Sequence, residues 1–132
     1  MLILIVEDNA DNRDIFRTIL EYSGHRVLVA ETGMAGLDLA SEHEPDLILL
    51  DIELPDISGL TVRRALYGSE RTRAIPVFAV TAHELAHVVE HSRGATFDRV
   101  IRKPIEPRAL VTVIAEWASG RGDVAAVRPL DA

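Results

Sequence analysis

Residues 2–9 read Leu2-Ile3-Leu4-Ile5-Val6-Glu7-Asp8-Asn9, five apolar residues that end in two acids and a helix-capping asparagine. The run has no polar alternation and is partly β-branched, so it predicts a strand buried on both faces and central in its sheet. The pattern returns at Leu47-Ile48-Leu49-Leu50 before Asp51, and at Val100-Ile101 before Lys103-Pro104. If these runs are parallel strands, Glu7, Asp8, Asp51 and Lys103 emerge at one edge and make a site.

Between the runs the periodicity changes to that of helices. Asn9 caps a helix with Ile15, Phe16, Ile19 and Leu20 on one face, which Gly24 ends. Residues 27–29 form a strand, and Thr32 caps a helix through Met34, Leu37 and Ala40 that stops before Pro45. After the loop Pro55-Asp56-Ile57, Ser58 caps a helix running to about Leu66. Pro76 opens a strand at 77–80, and residues 83–92 are helical in pattern up to the breaker Gly94. Pro107 suits the first turn of a last helix that turns Leu110, Val111, Ile114 and Trp117 inward. Five strands alternating with five helices imply βαβ crossovers and a doubly wound α/β fold with a five-stranded parallel sheet. In such sheets ligands bind beyond the carboxyl ends of the strands, where Asp8, Asp51, Thr81 and Lys103 are expected.

The 132 residues suit one domain over residues 1–118, and 48% hydrophobic content is enough for its core. Residues 119–132 read as a short Gly/Ala-rich tail that is expected to fray. A net charge of −7 without a basic cluster argues against nucleic acid or an anionic membrane as the partner. The absence of Cys removes disulfides and thiolate metal sites. No signal peptide or membrane span is read, so a cytoplasmic protein is expected.

Three carboxylates brought close together repel, and a cation must compensate. Hard oxygen ligands with room for water suit Mg²⁺. Mg²⁺, Lys103 and a hydroxyl donor such as Thr81 would together neutralise the oxygens of a phosphoryl group in flight. The remaining carboxylate serves as the nucleophile, and Asp51, alone on its strand and facing the acidic pair, is the better candidate. Taken singly, an Asp after a strand is usually a turn former or cap. The conjunction at corresponding strand ends favours the site.

Val6-Glu7-Asp8-Asn9, Asp51-Ile52-Glu53-Leu54-Pro55 with Gly59, Thr81-Ala82 and Lys103-Pro104-Ile105 together resemble the receiver domain of two-component response regulators, over about residues 2 to 118. The resemblance implies the flavodoxin-like (βα)5 strand order 2-1-3-4-5. It implies Asp51 as phosphoacceptor, Glu7 and Asp8 as Mg²⁺ holders, and the backbone carbonyl of Glu53 as a further ligand. It makes Thr81 the switch hydroxyl and Lys103 the ion-pair partner of the phosphoryl group. The phosphate donor would be a sensor histidine kinase or histidine phosphotransfer protein. The expected product is a binding switch with slow self-dephosphorylation and no enzyme activity on outside substrates. With Met1 at the first strand and a short tail, no DNA-binding output domain is expected, so a downstream output protein must read the state. The first helix, with Asp11, Asn12 and Ile15, and the loop after Lys103 are the expected docking surface for the donor.

The chain departs from the family pattern at Val100, where receivers commonly carry Tyr or Phe, so the usual aromatic readout is not expected. Gly94-Ala95 also falls about two residues early. Glu53 and His83 occupy places that in receivers flank the line of attack, and could tune the lifetime of the phosphoryl group. His83-Glu84-Leu85-Ala86-His87 matches the H-E-x-x-H helix of zinc hydrolases, a pattern that random placement gives in roughly 1 to 2% of such chains. With His91 these residues form a stripe at four-residue spacing, read as solvated or as part of a partner surface. The zinc hydrolase and a receiver-like scaffold that is never phosphorylated are the alternatives to the switch.

Overall fold

The computed structural model describes residues 1–82 and 97–120 and the backbone of residues 128–129. In chain order the elements are β1 (Leu2–Val6), α1 (Ala10–Tyr22), β2 (Arg26–Ala30), α2 (Gly33–His43), β3 (Leu47–Asp51), α3 (Gly59–Tyr67), β4 (Val77–Thr81), β5 (Arg99–Arg102), α4 (Pro107–Ala118) and β6 (Arg128–Pro129). The expected helix over 83–92, with the His stripe and Gly94-Ala95, lies outside the described residues.

All strand pairs are parallel, in the order β2-β1-β3-β4-β5-β6. The 2-1-3-4-5 core order is therefore as expected, and two tail residues extend the sheet along β5. The order in which strands are added reverses between β1 and β3, which lie side by side in parallel with Val6 opposite Leu50. Glu7, Asp8 and Asp51 thus sit at the crevice where such sheets bind ligands.

Alternation along each strand divides the core in two. Ile3, Ile5, Leu47, Leu49, Phe78 and Ile101 face α1 and α4, where Phe16, Leu20, Leu110 and Ile114 cover them. Leu4, Val6, Ile48, Leu50, Val77, Ala79 and Val100 face the other way, against Ala40, Val62 and Leu66 of α2 and α3. Each large side chain buried in this way contributes about 1.5–3 kcal/mol before entropy is charged. Trp117 closes the first layer by meeting Phe78 edge to face at 5.4 Å. Of the face predicted for α1, Phe16 and Leu20 are buried while Ile15 stays 49% exposed.

The helix ends follow local chemistry. Asn9, Thr32 and Ser58 each accept a backbone N–H from the first turn of α1, α2 and α3. Gly24, at φ +95°, closes α1 with its amide on Glu21 O while the His25 amide bonds Leu20 O. α4 is capped by Glu106, whose carboxylate accepts from Arg108 N and Ala109 N beside the expected Pro107.

Candidate functional site

Asp51 and Thr81 are the last residues of β3 and β4, one position beyond the strands read from the sequence, and Lys103 directly follows β5. The Lys103 amide bonds Thr81 O at 2.8 Å, and Lys103-Pro104 is cis. Glu7 and Asp8 directly follow β1, whose ladder extends to the Glu7 amide on Ala30 O. The sheet register therefore sets the positions of all these residues.

Carboxylate oxygens of Glu7, Asp8 and Asp51 lie within 4.8 Å of one another. Glu7 and Asp51 are 2% exposed, while Asp8 is open to solvent. The Lys103 ammonium stands between the two buried acids, 2.9 Å from Asp51 Oδ2 and 3.2 Å from Glu7 Oε1. The Glu53 amide donates to Asp51 Oδ1 at 2.9 Å, and the Asn9 amide donates to Glu7 Oε2 at 3.1 Å. Both oxygens of Asp51 are thus engaged and its orientation is fixed.

Burial pushes the Asp51 carboxyl up from the ordinary carboxylate range, against the opposing pull of Lys103, the Glu53 amide and Glu7. For Lys103, burial acts downward, but the Asp51 and Glu7 carboxylates outweigh it and hold the ammonium above its ordinary value. One lysine against three acids leaves the cluster under-compensated. A hard divalent cation fits this donor set, since carboxylate oxygens suit Mg²⁺ and Asp8 leaves one side open to water. Glu7, Asp8 and Asp51 are the side chains that would hold it.

Glu53 has a second contact that the sequence did not foretell. Its Oε1 accepts from the buried Thr81 hydroxyl and from the Ala82 amide, both at 3.1 Å. Thr81 is fully buried and Glu53 is exposed. His83 lies outside the described residues, so the site as described holds all the expected residues except this one.

Two further residues shape the site unannounced. Arg13 donates to Glu7 O at 2.9 Å and Asp8 O at 3.0 Å while pairing with Glu31 at 3.0 Å, and so clamps the loop that carries the acidic pair. Its position one turn after the Asn9 cap was the available signal. Asp56 accepts from Gly33 N at 2.8 Å and Met34 N at 2.9 Å, which ties the segment after β3 to the start of α2. Nothing local predicts that approach. Gly59 lies so close that a Cβ would stand 2.6 Å from Asp51 O and 2.7 Å from Ile52 Cα. Beside the acids, a groove lined by Asn12, Ile15, Phe16, Lys103, Pro104 and Pro107 runs between α1 and the segment after β5.

The model of the response regulator receiver domain family matches residues 3–115. The polar-differentiation response regulator DivK of Brucella ovis is 45% identical over 112 residues, covering 84% of this chain and 91% of that protein. A CheY-like receiver domain protein from Methanospirillum hungatei superposes with a TM-score of 0.82 at 30% identity, covering 91% of this chain and 94% of that one. The receiver domain of sensor histidine kinase PA1611 from Pseudomonas aeruginosa, solved with magnesium in its active-site cleft, gives 0.81 at 29% identity over 89% and 97% of the two chains.

Proposed function

We propose that this chain, which belongs to the response regulator receiver domain family, is a switch of two-component signalling that takes a phosphoryl group on Asp51 from a phosphohistidine. The observation that carries the reading is Asp51 itself, a buried carboxylate at a strand end with a lysine 2.9 Å away and two acids beside it. A structural aspartate has no need of this surplus negative charge, which costs stability unless a cation offsets it.

An oxygen of Asp51 attacks phosphorus as the P–N bond of the donor breaks, and the imidazole leaves with the bonding pair and takes a proton from solvent. Lys103 keeps its ammonium throughout and pairs with the incoming oxygens. The Thr81 hydroxyl donates to the bound phosphoryl group, and the Glu53 amide holds the acceptor in line. Mg²⁺, held by Glu7, Asp8, Asp51 and the Glu53 carbonyl, would supply the countercharge for the phosphoryl oxygens. The magnesium in the cleft of the PA1611 receiver supports this assignment. The chain is proposed as a signalling switch with at most slow self-dephosphorylation, in the cytoplasm, with residues 1–118 as its receiver domain. Among the described residues no helix is long and apolar enough to cross a membrane.

The donor is proposed to be a sensor histidine kinase or histidine phosphotransfer protein, docked over Asp11, Asn12, the half-exposed Ile15 and the loop after Lys103. A downstream protein reads the result. Beryllofluoride mimics a phosphoryl group on a carboxylate, so thermal melts provide the test. With Mg²⁺, beryllofluoride raises the melting temperature of the wild type above that with Mg²⁺ alone, and leaves Asp51→Asn unmoved. Equal responses in both proteins would refute the assignment.

A further inference from the structure

We propose that the Glu53 side chain is an internal stand-in for the phosphoryl group. In the resting protein it occupies Thr81 Oγ1 and Ala82 N, and its expulsion is the switching movement. The inference rests on Asp51 being the phosphoacceptor and adds how the arrival of phosphate is registered.

One carboxylate oxygen, Glu53 Oε1, accepts at 3.1 Å from both the Thr81 hydroxyl and the Ala82 amide. Those donors sit at the end of β4, the strand next to that of Asp51, with Val80 opposite Asp51 in the register. The amide of the same residue bonds Asp51 Oδ1, so Glu53 touches the acceptor with its backbone and the donor pair with its side chain. An anion with two parallel donors is also what a phosphoryl oxygen would be in that place.

The contact is built to be broken from one side. Thr81 is fully buried and cannot reach water, whereas Glu53 is exposed and can exchange its bonds for solvent at little cost. A phosphoryl group on Asp51 replaces the single carboxylate charge with between one and two negative charges, roughly, spread over oxygens that reach toward the Glu53 carboxylate. Repulsion and competition for the same donors act together, and the leaving partner is the exposed one. Thr81 and the Ala82 amide then bond the phosphoryl oxygens, while a carboxylate is released to the surface at the end of β3.

This movement needs no ring beside Lys103. Val100 is 3% exposed, packed in the layer under α2 and α3, and paired with Ala79 in the ladder. A side chain so short and so buried has little area to relocate. Glu53 supplies a moving part that Val100 does not.

The test follows the Ala82 amide resonance of the full chain in Mg²⁺, before and after acetyl phosphate, for the wild type, Glu53→Ala and Glu53→Gln, with labelling rates measured by mass. Before phosphorylation, Glu53→Ala shifts the Ala82 amide proton upfield, and Glu53→Gln, which keeps an acceptor, shifts it less. After phosphorylation the three resonances converge. Glu53→Ala labels roughly three- to tenfold faster than wild type, the weight of an ordinary net hydrogen bond, with Glu53→Gln between them. An Ala82 shift that ignores Glu53→Ala, a difference that persists after labelling, or equal rates for Ala and Gln variants overturns the proposal while leaving Asp51 as acceptor. A wild type that takes no label removes both readings at once.

Discussion

The Lys103 ammonium lies 2.9 Å from Asp51 Oδ2, and the same nitrogen reaches Glu7 Oε1 at 3.2 Å, so one cation joins the ends of β1, β3 and β5. Removing it leaves two buried acids without their shared partner. Lys103→Met is expected to destabilise the protein by about 2 kcal/mol in EDTA, less than for a fully buried pair because Lys103 is partly exposed. Added Mg²⁺ recovers part of the loss. Melting curves with and without Mg²⁺ check this, and a melting temperature unaffected by the substitution contradicts it.

Asp51 works against the fold. Burial pushes its carboxyl up, which means that its charge is held at a cost. Asp51→Asn keeps an acceptor for the Glu53 amide and removes that charge, so in EDTA it is expected to melt several degrees higher than wild type. Mg²⁺ then stabilises the wild type and not the variant, because only the wild type retains the full donor set. A metal response of equal size in both proteins would show that the cation binds elsewhere.

Gly59 is where α3 touches the backbone of Asp51, and a Cβ added there would stand 2.6 Å from Asp51 O. Gly59→Ala must displace either α3 or the end of β3. The expected cost is about 1–3 kcal/mol in urea unfolding, together with slower labelling of Asp51. Unchanged stability and rate would show that the segment yields freely.

Asp56 provides a pH signature. The amides of Met34 and Gly33 hold its carboxyl below the ordinary value of 3.8. A depressed folded value means that the carboxylate stabilises the fold above the ordinary value, and that this contribution is lost as pH falls through the window beneath it. Wild type should therefore exceed Asp56→Asn in stability by a constant, small margin at neutral pH, since the group is exposed. The margin should shrink only below pH 3.8, and one that shrinks already near neutrality rules out Asp56 as the source.

The strands and their acids could be read from the sequence because each depends on a short run of apolar residues followed by a charge. The caps Asn9, Thr32 and Ser58 were legible for the same reason, since a cap bonds its own helix. Arg13 on the carbonyls of Glu7 and Asp8, and Asp56 on the start of α2, depend on distances between elements that no local pattern contains. Glu53 stands between these cases. Its place two residues after Asp51 marked it as a neighbour of the site, but its bonds to Thr81 and Ala82 follow from β3 and β4 lying side by side. Gly59 was part of the recognised motif, and the reason that it must be glycine appears only when α3 is seen against β3.

Magnesium-dependent phosphoryl transfer to Asp51 is the step on which the proposed switch depends. Its most direct test is the intact mass of the chain after incubation with acetyl phosphate, for the wild type with Mg²⁺, the wild type with EDTA, and Asp51→Asn with Mg²⁺. One added phosphoryl group is expected in the first sample and none in the other two. No addition in the first sample, or addition that survives Asp51→Asn, would contradict it.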